Sequence, residues 1–80
     1  MVRTRVRVTA AYDPDAKVWY VEDSDLPGVN AWAPTVEGLL HKLPDVVLDL
    51  LEAEGRGVGD EVPIELVAHA STRAKWGTAA

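Results

Sequence analysis

The chain has 80 residues, eight Lys and Arg against thirteen Asp and Glu, a formal net charge of −5, three tryptophans and no cysteine. A chain of this length is one domain that can bury only about three fifths of its unfolded surface, so its core is thin. Hydrophobic residues at 48% with 26% charged residues place it among ordinary globular proteins. Without cysteine, disulfide frameworks, thiolate metal clusters and cysteine nucleophiles are excluded. The sequence has no apolar run of membrane-spanning length and no signal-peptide pattern, which makes a cytoplasmic location the expectation.

Residues 2–11 alternate, with Val2, Thr4, Val6, Val8 and Ala10 on one side and Arg3, Arg5, Arg7, Thr9 and Ala11 on the other, the pattern of a half-buried strand. Tyr12-Asp13-Pro14-Asp15-Ala16-Lys17 then carries a turn signature, since proline presets φ and aspartate side chains accept from local amides. The run from Lys17 to Glu22 contains Val18, Trp19, Tyr20 and Val21, apolar on both faces, which predicts a strand inside the sheet. After the break at Asp23-Ser24-Asp25-Leu26-Pro27-Gly28, alternation resumes from Val29 to Ala33 as a short third strand.

Thr35 is placed to cap a helix running to about Glu54, with Glu37 in the first turn where the helix dipole favours a negative charge. At 100° per residue, Val36, Leu39, Leu40, Leu43, Val46, Val47, Leu50 and Leu51 fall on one stripe, and His41, Asp45, Asp49 and Glu52 lie opposite. Pro44 inside this stretch predicts a kink, because it forfeits a backbone hydrogen bond and crowds the carbonyl of Leu40. Gly55 ends the helix, and the glycines at 55, 57 and 59 read as a linker. A last strand runs from Val62 to His69, with Pro63 favouring a sheet edge. Residues 71–80 show neither period and form a tail after a domain at 1–70, with Trp76 its one apolar anchor.

The element order is strand, strand, strand, helix, strand. It predicts an α+β fold: a four-stranded mixed sheet in spatial order 3-2-1-4 with one helix on one face. The other face is left open and carries Arg3, Arg5, Arg7, Glu65, Val67 and His69, with Trp32 and one of Trp19 and Tyr20. An uncovered face with aromatic residues marks a self-association surface, for which Arg5, Trp19, Trp32 and Val67 are the candidates.

No residue constellation points to catalysis. Asp13, Asp15, Glu22, Asp23 and Asp25 cluster in sequence but lack the ligand spacing of a calcium loop, and neither histidine has an identifiable metal or nucleophile companion. No cofactor and no metal site are expected. Charge says more: between Asp13 and Glu65 all thirteen carboxylates stand against three bases, a local balance of −10 that repels phosphate and favours a basic protein partner.

Tyr12-Asp13-Pro14-Asp15 followed by Val18-Trp19, then Asp25-Leu26-Pro27-Gly28, then Thr35-Val36-Glu37 opening a helix, resembles the HicB-like antitoxin family. Lys42-Leu43-Pro44 in the helix and Val62-Pro63-Ile64-Glu65-Leu66 in the final strand match its small single-domain members. The resemblance implies a βββαβ partial RNase H-like fold without nuclease carboxylates, and a role in sequestering a small basic RNA-cleaving toxin of the HicA type. It also implies no DNA binding by this chain, since about a dozen residues after the last strand are too few for the usual operator-binding segment. For the basic partner the candidates are Asp23 and Asp25 in the turn and Asp45, Asp49 and Glu52 on the helix; the oligomer is expected to be a homodimer or larger. The alternative is a small RNA-binding module on the open face, built on Arg3, Arg5, Arg7 and Trp19 or Trp32, since aromatic platforms with basic flanks stack single-stranded bases.

Overall fold

A computed structural model describes residues 5–55 and 61–77. Val2, Arg3 and Thr4 of the first expected strand, the glycines at 57 and 59, and residues 78–80 lie outside the described residues. The elements are β1 (Val6–Asp13), β2 (Val18–Ser24), β3 (Trp32–Ala33), α1 (Val36–Ala53) and β4 (Ile64–His69), in one four-stranded sheet of order β3-β2-β1-β4. β1 is antiparallel to β2, β2 antiparallel to β3, and β1 parallel to β4. The fold is α+β with a mixed sheet and one helix, as the element order predicts.

The hairpin between β1 and β2 is built by Asp13. Its Oδ1 accepts from the amides of Asp15 at 2.9 Å and Ala16 at 3.2 Å, while its carbonyl accepts from Lys17 N–H at 2.7 Å. Lys17, at φ 60°, takes the left-handed conformation that closes the turn. The register then jumps: Thr9 faces Asp23 while Ala10 faces Val21, so Glu22 is the extra residue of a β-bulge. Directly opposed residues share a face. Val8, Ala10 and Val21 therefore point to the helix, and Thr9, Ala11, Tyr20 and Asp23 point to the open side.

That register corrects the assignment of Trp19 to the open face. Trp19 opposes the buried Ala33 and packs against the cluster of Ala10, Ala33 and Leu39 on the helix side, with its ring 5.1 Å from that of Tyr12. Tyr20 takes the open side, opposite Trp32. β3 is also shorter than the expected 29–33: two residues pair in the ladder, extended by Val21 N–H donating to the Ala31 carbonyl at 3.1 Å. Val29 and Ala31 instead pack against the core.

Thr35 caps α1 from an extended conformation, its Oγ1 accepting from the Gly38 amide at 2.9 Å. The helix runs unbroken through Pro44 to Ala53, and Gly55, at φ 74°, follows its last turn. Leu39, Leu43, Val47 and Leu51 form its buried line, one residue every four. The main core sets Leu43, Val47 and Leu51 against Val6, Val8 and Leu26.

Leu26 is a core residue supplied by a turn. The Asp25 amide donates to the Arg7 carbonyl at 3.1 Å and Asp25 Oδ1 accepts from the Arg7 amide at 3.0 Å, so the turn is pinned to β1 just before Leu26. Gly28, at φ 92°, then lets the backbone pass the helix, where an added Cβ would stand 3.3 Å from Leu50. Asp-Leu-Pro-Gly is thus a core plug with a hydrogen-bonded lead-in.

One expectation for the helix stripe changes. Leu40, placed by periodicity in the covering stripe, is 46% exposed, and Leu48 is 48% exposed. Leu48 stands beside Val62, Pro63 and Ile64 at the start of β4.

Candidate functional site

Two surfaces collect the residues with functional character, and they lie on opposite sides of the molecule. The first is the outer side and β4 flank of α1. Here Leu40, Pro44 and Leu48, four residues apart, make an apolar row beside the exposed carboxylates of Asp45, Asp49 and Glu52. The row continues into a groove of about 510 Å³ between α1 and the approach to β4, where Val47, Val62, Pro63 and Ile64 supply apolar walls and Glu61 a rim charge. Such a surface offers a partner both area to desolvate and negative charge to neutralise.

The second is the open sheet face, where side chains of adjacent strands stand over one another. Arg7 and Glu65 are partners in the β1/β4 register, and Arg7 Nε lies 3.1 Å from Glu65 Oε1. Arg5 reaches the same oxygen at 3.8 Å. These are charge contacts outside hydrogen-bond geometry, and the oxygen beneath them is shielded from solvent. Glu22, freed by the bulge, reaches across β1 to β4, where His69 Nε2 donates to its Oε1 at 2.7 Å. Ala11, opposite His69 in the β1/β4 register, is buried although it points away from the helix. Tyr20, Trp32 and Val67 remain exposed on this face. At the β3 edge, Lys42 reaches from the helix to donate to the Trp32 carbonyl at 2.7 Å, and its Nζ stands 4.9 Å from the Trp32 ring centroid, a cation–π contact.

The five carboxylates read from sequence as one partner surface separate into three environments. Asp45, Asp49 and Glu52 share the exposed helix side. Asp23 opposes Thr9 and so belongs to the open sheet face. Asp25 is engaged with the Arg7 backbone and holds the turn. Of the self-association candidates, Arg5, Trp32 and Val67 are on the open face and Trp19 is not. Sequence reasoning missed the Glu22–His69 bridge, since nothing in local spacing announces a bulge, and missed the exposed Leu48, whose place at the edge of the apolar stripe was a usable signal. The carboxylates that cluster in sequence are dispersed in space, and the described residues contain no group of three or more His, Asp or Glu able to hold a metal ion. Among the described residues no helix is long and apolar enough to cross a membrane.

The family model described as "Domain of unknown function (DUF1902)" matches residues 5–77. No curated protein matches the chain. Among solved structures, the hypothetical protein TTHA1013 from the extremely thermophilic bacterium Thermus thermophilus is similar, with 39% sequence identity and a TM-score of 0.60 over 90% of this chain and 99% of that one.

Proposed function

The chain belongs to the DUF1902 family, a domain of unknown function, and we propose that it is a non-enzymatic, HicB-like binding domain of partial RNase H-like topology. Its partner is a small basic RNA-cleaving toxin of the HicA type or a related basic protein, met in the cytoplasm. The observation that carries this reading is the α1 surface, where the exposed Leu40 and Leu48 lie beside Asp45, Asp49 and Glu52. The carboxylates steer a basic protein and set the salt dependence of encounter, while the apolar row limits dissociation. Asp23 borders the open face and makes a secondary contact at most, and Asp25 contributes by holding the turn. The open face, with Arg5, Trp32 and Val67, offers a further self-association contact for assembly beyond a dimer.

The test is co-expression of the chain with a small basic RNA-cleaving toxin of the HicA type, followed by titration calorimetry. A complex that protects cellular RNA, and that weakens at least tenfold when Asp45, Asp49 and Glu52 are all changed to lysine, supports the reading. Unchanged affinity removes this surface from the function. The exposed Tyr20 and Trp32 favour a second reading, a single-stranded RNA platform on the open face. The sharing of Glu65 by Arg5 and Arg7 weakens it, because those cations are already partly neutralised. Sub-micromolar gel-shift binding of single-stranded RNA at low salt would reverse the ranking.

A further inference from the structure

We infer that the C-terminal tail is an exchange arm, which inserts Trp76 into the groove between α1 and β4 of a second copy of the chain. This inference does not rest on toxin binding, but the groove shares Pro44 and Leu48 with the α1 surface proposed for the toxin, so it is tested without a partner protein. The tail is part of the family domain rather than an appendage, because the family match continues to residue 77. Yet residues 70–77 are exposed throughout, and Trp76 is 99% exposed. Tryptophan is the side chain with most to gain from burial, on the order of 150–250 Å² when enclosed.

The groove matches the arm in three respects. Its volume of about 510 Å³ accommodates an indole, and its walls of Pro44, Val47, Leu48, Val62 and Ile64 are apolar. Its rim is acidic, with Glu61 at the groove and Asp45 and Asp49 on the adjoining helix surface, whereas residues 71–77 carry Arg73 and Lys75 and no carboxylate. Reach is the third. The tail leaves from the C-terminal end of β4, but the groove lies at its N-terminal end, about 17–20 Å back along six residues of strand. Folding back in the same chain would spend two or more residues on a reverse turn. The four at most left before Trp76 extend about 13–14 Å, short of Val62 and Pro63. A second copy meets no such limit, and two-fold symmetry would let each chain fill the other's groove.

The experiment is sedimentation velocity on the full chain and on Trp76→Ala and Leu48→Glu, with no partner protein present. Both altered side chains are solvent-exposed, and circular dichroism verifies that the variants fold. The full chain is expected to sediment as a dimer of 8.7 kDa subunits, and each variant to raise the dimer dissociation constant at least tenfold. Mixing the two variants should recover association in part, since the Trp76→Ala chain offers an intact groove and the Leu48→Glu chain an intact arm. A full chain that is monomeric at about 100 μM overturns the proposal, as does a dimer insensitive to Trp76→Ala, or a mixture no more associated than its components. A dimer lost with Val67→Arg but kept with Trp76→Ala would assign assembly to the open face and likewise overturn the arm, leaving the toxin-binding reading untouched.

Discussion

The two faces of the sheet are made by alternate residues of the same strands and are held by different forces. On the helix side Val6, Val8 and Ala10 are fully buried and meet Leu39, Leu43 and Val47. On the other side, one residue out of step, Arg5, Arg7, Glu65, Glu22 and His69 form ion pairs with side chains roughly half exposed. Apolar burial contributes about 25 cal/mol per Å², whereas exposed ion pairs contribute about 0–1 kcal/mol each. Stability therefore resides on the covered face, and the open face is free to be shaped by binding.

The sharpest way to break this contrast is to hollow the covered face. Leu43→Ala removes a fully buried side chain, and a loss of about 2–5 kcal/mol is expected; in a domain with so small a core, urea melts should show most of the cooperative transition gone. Gly28→Ala tests the plug that closes the same core. Its φ of 92° and the 3.3 Å approach to Leu50 predict a cost of about 1–2 kcal/mol, read as a lower melting midpoint. Thr35→Ala removes the helix cap and should cost about 1 kcal/mol, with Thr35→Ser retaining most of it. The smallest effect belongs to the open face. Glu22→Gln and Arg5→Ala should each shift stability by less than about 0.5 kcal/mol, and a loss above about 1.5 kcal/mol by thermal melt would show that the open face also carries the fold.

The elements were legible where the chain states its own period. Val6, Val8 and Ala10 alternate, Leu39, Leu43 and Val47 recur every four residues, and Thr35 and Gly55 mark the helix ends, so strand order and helix face followed from short-range pattern. Leu26 was not legible. It stands alone between Asp25 and Pro27, and only the pairing of Asp25 with Arg7 carries it into the core. The face of Trp19 was equally hidden, since Trp19 and Tyr20 are both apolar neighbours and their sides are set by which β3 residue each opposes. On the candidate surface, the acidic row of the helix was readable from its spacing. The exposure of Leu40 was not, because periodicity placed it in the covering stripe and only packing shows that nothing covers it.

Local pattern was enough to specify a small acidic α+β domain with one helix and therefore one uncovered sheet face, because periodicity and turn chemistry act within a few residues. Strand pairing and packing settled which carboxylates stand together, which aromatic residue faces outward, and that an apolar groove runs beside the helix. Those outcomes depend on register and on a single bulge at Glu22, which join residues far apart in the chain, 47 positions in the case of Glu22 and His69. No local pattern encodes contacts at that separation.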